Sequence, residues 1–216
     1  MAEAAGLRFV FLECDFIRIP NKVYRMMIPP PELAFDIDGV FADTMSLFID
    51  IAREEFGIKG LKYEDITEYD LCGLAGIDEG IYIEIIMCIL EGRHSGPLNA
   101  LQGAPEVLQR VNRCHCPTLF VTARPNADQV HGWILDKLCL EPGKIDVVAT
   151  GSFDDKQEVL RRRGIKYFVE DRLETCFTLN DAGITPILFK QPWNRKPHPF
   201  CEVATWQELE ALIFFD

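Results

Sequence analysis

Between residues 33 and 189 the apolar positions alternate between two patterns. Short continuous runs occur at Leu33-Ala-Phe-Asp-Ile, Thr118-Leu-Phe-Val-Thr, Ile145-Asp-Val-Val-Ala, Lys166-Tyr-Phe-Val-Glu and Pro186-Ile-Leu-Phe. Runs of this length, rich in β-branched and aromatic residues, read as parallel strands buried on both faces. Between them a 3.6-residue periodicity predicts helices over about 104–113, 126–139, 153–163 and 173–182. A last helix near 206–214 opens with Thr205-Trp-Gln-Glu208, the spacing of a capping box. Strands and helices that alternate in this way predict an α/β fold, a doubly wound parallel sheet with helices on both faces.

One interval is too long for that repeat. The first strand ends near Asp38 and the second begins near Thr118, about 80 residues later, where a crossover usually takes roughly 30. The extra length carries its own helical periodicity, in Thr44–Phe56 closed by Gly57 and in Asp78–Glu91 closed by Gly92. Residues 44–100 are therefore expected to form a small helical cap beside the carboxyl end of the first strand, where ligands bind in open α/β sheets. Residues 32–43 and 101–216 are left as the α/β core. Residues 1–31 fit neither part and read as an N-terminal appendage: Arg8-Phe-Val-Phe-Leu is strand-like, but Met26-Met27-Ile-Pro-Pro-Pro breaks regular structure.

Composition narrows the partners. Of the 216 residues 48% are hydrophobic and 26% charged, ample for a core. The net charge of −12, with no basic block, argues against a nucleic-acid polymer as partner. Ile81–Leu90, the longest nearly apolar run, is interrupted by Glu84 and is far short of the ~20 residues that a spanning helix requires. Glu13 and Asp15 stand where a secretory leader would be uncharged, so the expected location is cytoplasmic, with no membrane partner. The eight scattered cysteines then read as reduced packing residues, and Cys114-His115-Cys116 lacks the second ligand pair of a zinc site.

Four polar clusters fall at the carboxyl ends of predicted strands. Phe35-Asp36-Ile37-Asp38-Gly39 places two acids at a strand tip entering a Gly turn, so that one side chain can meet a cation and the other can handle a proton. An EF-hand is excluded, because the twelfth position from Asp36 is Leu47 and the preceding segment is a strand. Thr122-Ala123-Arg124-Pro125 ends the next strand in a hydroxyl with backbone N–H groups able to hold an anion, or in an ordinary Thr cap. Ser152-Phe-Asp-Asp-Lys156 puts a lysine in the first turn of a capped helix, where the helix dipole disfavours a cation unless it meets an anion. Glu170-Asp171-Arg172 is a second acid pair, with a helix N-cap by Asp171 as the plain structural alternative.

The order acid pair, Thr, Lys, acid pair resembles the haloacid dehalogenase superfamily of phosphohydrolases over about residues 33–190. By that resemblance Asp36 is the nucleophile and Asp38 the general acid/base. Thr122, Ala123 and Lys156 hold the phosphoryl group, and Asp36, Asp38 through its carbonyl, and Asp171 bind Mg²⁺. A closer resemblance, to the cytosolic 5′(3′)-deoxyribonucleotidases and their bacterial relatives, is carried by Asp36-Ile-Asp-Gly-Val-Phe-Ala-Asp43, by Pro97-Leu-Asn-Ala-Leu-Gln-Gly-Ala-Pro-Glu, and by Val169-Glu-Asp-Arg172. It implies a nucleoside monophosphate substrate near Asp43, Thr44, Phe48 and Arg124, with Tyr69 a further stacking candidate. The chain departs from that family's pattern at Thr44, where an aromatic would stack on the base, and at Thr122-Ala-Arg-Pro in place of Thr-Ser-Pro. A general small-metabolite phosphatase and a non-catalytic module of the same fold are the competing readings. A phosphorylation-dependent receiver domain needs an Asp where this chain has Ala149-Thr-Gly.

Overall fold

The computed structural model describes residues 16–215 apart from 20, 21, 70 and 75, with side chains from Met26 onward; the strand-like run at 8–12 lies outside them. β1 (Phe16–Ile19) and β2 (Lys22–Arg25) form an antiparallel pair separate from the main sheet. That main sheet comprises β3 (Leu33–Phe35), β4 (Thr118–Thr122), β5 (Ile145–Ala149), β6 (Tyr167–Glu170), β7 (Thr185–Phe189) and β8 (Cys201–Val203), all parallel, in the order β5-β4-β3-β6-β7-β8. Strand order reverses at β3, which opens a crevice at its carboxyl end. β8 and the β1–β2 pair were not predicted; β8 has three residues, two of them half-buried, and so lacks an apolar run to read.

The helices are α1 (Thr44–Glu54), α2 (Glu79–Leu90), α3 (Ala104–Cys114), α4 (Asp128–Leu138), α5 (Lys156–Arg162), α6 (Leu173–Asp181) and α7 (Trp206–Leu212). One face of the sheet buries Phe35, Phe120 and Val169 against Val107, Leu108 and Val111 of α3 and Trp206 and Leu209 of α7. The other face buries Leu119, Val121 and Phe168 against Leu160 of α5 and Leu179 of α6. Each such side chain contributes ~1.5–3 kcal/mol on burial, so helices on both faces hold the sheet rigid beneath the crevice. The α7 cap differs slightly from a capping box: Thr205 Oγ1 accepts from Glu208 N–H, but the Glu208 carboxylate accepts from Ala204 rather than Thr205. Residues 26–31, assigned from the sequence to the N-terminal segment, are anchored in this core. Ile28 is fully buried, its N–H donates to Leu212 O at 2.8 Å, and its carbonyl accepts from Phe214 N–H at 2.9 Å.

The long interval after β3 has a separate apolar cluster. Leu47, Phe48 and Ile51 of α1 pack with Ile85, Cys88 and Ile89 of α2 and with Ile66, Leu71 and Ile77 of the connection. The carboxylates of Asp43 and Asp78 cap the two helices, and Gly92 follows α2 with φ +64°, a conformation that favours glycine. The chain enters and leaves this segment side by side: Ala42 bridges Ala100, Asp43 N–H donates to Asn99 O and Leu101 N–H to Phe41 O, both at 2.8 Å. A pair of short linkers thus roots the helices at the carboxyl end of β3.

Among the described residues no helix is long and apolar enough to cross a membrane. The cysteines correct the packing expectation: Cys88 and Cys176 are buried, whereas Cys72, Cys114, Cys116 and Cys139 are exposed. Cys72, Cys116 and Cys139 lie in turns and bends at the surface, and Cys114 ends α3 on its outward side.

Candidate active site

Asp36 lies just past the end of β3 and is 4% exposed. Its Oδ1 accepts from the Ile37 N–H at 2.7 Å and its Oδ2 lies 2.8 Å from Lys156 Nζ. The chain then turns tightly, with Gly39 at φ +75° and its N–H donating to Ala42 O at 2.9 Å. A Cβ at Gly39 would stand 2.1 Å from Asp171 Oδ2, so the turn requires glycine both for its conformation and for space. Asp38, two residues on, is a quarter exposed and faces the crevice. Both its oxygens are taken. Arg124 donates from Nε to Oδ2 at 2.9 Å and from Nη2 to Oδ1 at 2.6 Å, and Thr44 Oγ1 donates to Oδ1 at 2.5 Å. Burial alone would raise the Asp38 pKa, but the Arg124 charge and these hydrogen bonds outweigh it and hold the carboxyl below its ordinary value.

Lys156 opens α5 and is fully buried, bonded to Asp36 Oδ2 and to Glu170 Oε2, each at 2.8 Å. It does not line the cavity but lies under its floor, reaching the site through Asp36. Burial would lower its pKa; the two carboxylates reverse this, and the ammonium stays charged. Its helix start is not capped as expected: Asp155 at the N-cap makes no side-chain bond, and Ser152 Oγ accepts from Asp154 N–H instead. Asp171 is no N-cap either. Glu170 Oε1 accepts the N–H groups of Asp171 and Arg172, both at 3.0 Å, which leaves the Asp171 carboxylate to face inward. There its Oδ2 accepts from Trp193 Nε1 at 2.9 Å, and its Oδ1 is buried with no partner.

Carboxylate oxygens of Asp36, Glu170 and Asp171 lie within 4.8 Å of one another, the group of this kind found among the described residues. Burial and the neighbouring carboxylates push both Asp36 and Asp171 well above the ordinary range, whereas Glu170 is held below it by Lys156 despite its own burial. Three carboxylates against one ammonium leave two uncompensated negative charges. Such a cluster has to hold protons or a cation. The unpartnered Asp171 Oδ1, the all-oxygen donor set and the charge deficit of two fit a small hard dication.

These groups border a cavity of about 300 Å³. Asp36, Asp38, Gly39, Asp171, Thr122, Ala123 and Arg124 line one end. Thr122 Oγ1 accepts from Arg124 N–H at 3.2 Å. The far wall is Met45, Phe48, Leu71, Tyr82, Ile86 and Leu90 from the helical segment, with Tyr69 and Phe153 closing the side. Of the residues expected near the substrate, Thr44, Phe48 and Arg124 line the cavity. Asp43 does not, and its carboxylate instead accepts from Ser46 N–H at 3.2 Å as the cap of α1. The Arg172 guanidinium stacks instead on the aromatic side of the cavity, 4.4 Å from the Phe153 ring and 5.6 Å from that of Tyr69.

The turn after β7, Gln191-Pro-Trp193-Asn194, was not predicted as part of the site. Gln191, Trp193 and Asn194 are all at most 5% exposed and bond to the motifs around them. The available signal was its position at the carboxyl end of a parallel strand, where ligand-binding loops gather.

A family model described as 5′ nucleotidase, deoxy (Pyrimidine), cytosolic type C protein matches residues 30–215. A search of curated proteins finds no match. Among solved structures the fold is similar to a haloacid dehalogenase-like family hydrolase from Streptococcus pneumoniae, at 12% identity and TM-score 0.55, covering 86% of this chain and 98% of that one. It is similar also to a subfamily IA hydrolase of the same superfamily from Geobacter sulfurreducens, at 16% identity and TM-score 0.52, with coverages of 85% and 95%. The CbbY protein of Rhodobacter sphaeroides in complex with phosphate gives 14% identity and TM-score 0.52, covering 85% and 96%. At these identities the structural likeness is one of fold.

Proposed function

The chain belongs to the cytosolic type C 5′ nucleotidase family, phosphoric monoester hydrolases of the haloacid dehalogenase superfamily, and from that premise we propose that it is a Mg²⁺-dependent phosphomonoesterase that cleaves nucleoside monophosphates through an aspartyl-phosphate on Asp36. The observation that carries this reading is the cavity itself, with Asp36, Asp38, Asp171, Thr122 and Arg124 at one end and aromatic and aliphatic side chains at the other.

Asp36, Asp171 and the Asp38 carbonyl would hold the cation, which would supply the positive charge that screens an attacking carboxylate from an anionic phosphate. Asp36 attacks phosphorus in line, and the P–O bond to the nucleoside breaks. Lys156, bonded to Asp36 at 2.8 Å, opposes the rise that burial and Glu170 impose on that carboxyl and balances the charge that builds on the transferring group. Thr122 and Ala123 border the phosphoryl oxygens. Asp38, whose carboxyl starts ionised, first takes up a proton from the bound phosphate monoanion, gives it to the leaving oxygen, then takes one from the water that attacks the aspartyl-phosphate; the P–O bond to Asp36 breaks, the released phosphate carries that last proton away and both carboxyl groups return to their starting states. For that transfer the bonds from Arg124 and Thr44 to Asp38 must give way, and incoming phosphoryl oxygens compete for the same guanidinium.

In this reading residues 44–100 act as a cap that excludes water and selects the leaving group, with Phe48, Tyr69 and Tyr82 offering rings to a base in place of the aromatic absent at Thr44. A cytoplasmic setting belongs to the same reading.

The test is phosphate release from deoxynucleoside monophosphates, sugar phosphates and phosphoglycolate, with Mg²⁺ and with a chelator. Nucleotides are expected to exceed the other classes in kcat/KM, and the chelator to abolish turnover. Equal rates across the three classes make the protein a general small-metabolite phosphatase, and no turnover of any of them leaves only a binding module.

A further inference from the structure

The turn at 191–194 holds Asp171 of the acidic centre and the Gly39 turn beside it without presenting a charge to either. Asn194 Nδ2 donates to the Asp171 carbonyl at 2.7 Å and to the Phe189 carbonyl at 2.8 Å, while its Oδ1 accepts from Gln191 N–H at 2.9 Å, which locks the turn on itself. Gln191 Nε2 donates to the Gly39 carbonyl at 2.6 Å. Trp193 Nε1 donates to Asp171 Oδ2, the oxygen that a Cβ at Gly39 would strike. Asp171 is thus fixed from three sides: its backbone by Asn194, one carboxylate oxygen by the indole, and the same oxygen by contact with the Gly39 turn. Its second oxygen, Oδ1, is left without a hydrogen-bond partner, in a carboxylate that comes within 4.8 Å of those of Asp36 and Glu170.

The turn also reaches into the helical segment. The Trp193 ring belongs to the apolar cluster of α1 and α2 and stands 5.6 Å from the Tyr63 ring, and Tyr63 Oη donates to Gln191 Oε1 at 2.8 Å. Trp193 therefore has one edge in the packing of residues 44–100 and the other on Asp171.

We propose that Trp193 is a positioning residue for the divalent cation: its indole N–H occupies Asp171 Oδ2 so that Oδ1 alone is aimed at the metal, and its packing makes cation affinity depend on the helical segment. The proposal rests on the reading that Asp171 holds the cation. A carboxylate with both oxygens free samples orientations that do not bind, and a partner on one oxygen removes that freedom before the metal arrives. Groups that orient metal ligands in this way typically change affinity ~10–100-fold when removed.

The test is calorimetric titration of the full chain with Mn²⁺ alone, comparing the wild type with Trp193→Phe and Asp171→Asn. Phenylalanine keeps an aromatic ring in the apolar cluster and deletes the donor, with some loss of buried volume. Trp193→Phe is expected to raise the Mn²⁺ dissociation constant ~10–100-fold, and Asp171→Asn to abolish binding. A wild type that takes up no Mn²⁺, or an Asp171→Asn protein that binds like the wild type, overturns the underlying metal assignment. Loss of binding in Asp171→Asn with unchanged affinity in Trp193→Phe overturns the role of Trp193 alone. If Trp193→Phe does not fold, indole N–H resonances of the wild type give the answer. Trp133 and Trp206 donate to the Leu98 and Val40 carbonyls, both at 3.0 Å, and serve as references. The Trp193 signal is expected to move on Mg²⁺ addition by more than that of Trp133, and a stationary Trp193 signal at saturating Mg²⁺ overturns the proposal.

Discussion

At the floor of the cavity Asp38 pairs with Arg124 at 2.6 Å, and just beneath it Lys156 pairs with Asp36 and Glu170 at 2.8 Å each, whereas the far wall, from Met45 and Phe48 to Leu90, is built of carbon and rings. The floor sits on the sheet, at the tips of β3, β4 and β6, where rigid elements hold charges in fixed pairs. The wall hangs on two linkers and packs through its own apolar cluster. Charged pairs buried this way tolerate no exchange, because removing one partner strands the other in a low dielectric. Apolar walls tolerate volume-conserving replacement at a cost under about 1.5 kcal/mol. Substitutions at the floor are therefore expected to alter chemistry by orders of magnitude, and those at the wall to alter selectivity by small factors.

The sharpest separation lies within the floor. On the proposed mechanism Asp36→Asn removes the phosphoryl acceptor, and turnover is expected to fall to background for every substrate, including aryl phosphates with good leaving groups. Asp38→Asn keeps the acceptor and loses proton transfer, for an expected loss of ~10²–10⁴-fold. That loss is expected to shrink for aryl phosphates, whose leaving oxygen needs little protonation. Comparable residual turnover in the two variants, measured on one alkyl and one aryl phosphate, would falsify the assignment of Asp36.

Arg124 comes next. Arg124→Lys keeps the charge but cannot reproduce the fork that holds both Asp38 oxygens. Misplacing a reacting group by about 1 Å costs on the order of 100-fold, so kcat on an alkyl phosphate is expected to drop by about that factor, with a smaller drop on an aryl phosphate. An equal drop on both substrates would assign Arg124 to phosphate binding rather than to orienting Asp38.

A smaller effect joins the floor to stability. Asp36 and Asp171 are raised by burial and by like charges. Their contribution to the stability of the metal-free chain is complete below the unfolded value near pH 4 and is lost as pH rises through their folded values. Asp38 and Glu170 are lowered, so their contribution is present above that value and lost only below it. In chelator the melting temperature is accordingly expected to fall from pH 5.5 to pH 8, and Asp171→Asn to flatten the slope. At 100 times its dissociation constant Mg²⁺ adds about 2.7 kcal/mol, or roughly 5–10 °C for a chain of this size. A chelated protein whose melting temperature is level or rises across that range contradicts the raised pair.

The contrast between floor and wall also explains what the sequence discloses. Strands β3, β4, β6 and β7 are legible because burial on both faces demands continuous apolar runs, edge strand β5 because it keeps a β-branched run, and the helices because apolar residues recur at helical spacing between cap residues. Asp36, Asp38, Thr122, Lys156 and Asp171 stand out as polar residues placed where those runs end. Their partners do not. Nothing local says that Arg124 grips Asp38 or that Lys156 lies beneath the floor, since each bond joins residues that follow different strands and depends on sheet register. Trp193 is hidden for the same reason: its donor role depends on the packing of β7 beside β6, and an indole after a proline reads as an ordinary loop residue.

The smallest expected effect belongs to the wall. Phe48 is 2% exposed, its ring centroid 6.0 Å from that of Tyr82, and it lines the cavity one helical turn after Thr44. Phe48→Leu retains apolar bulk and removes the ring, so the fold and the floor are expected to be undisturbed. Stacking of a base on an aromatic contributes ~1–3 kcal/mol, and Tyr69 and Tyr82 remain in place to supply part of it. A loss of about fivefold in kcat/KM for deoxynucleoside monophosphates is thus expected, carried by KM, with kcat and the rate on a small alkyl phosphate unchanged. If the rates on nucleotide and alkyl phosphate fall together, Phe48 supports the shape of the floor and the division between the two ends of the cavity does not hold. If neither changes, the base lies elsewhere along the wall, and the same measurement on Tyr69→Leu and Tyr82→Leu locates it.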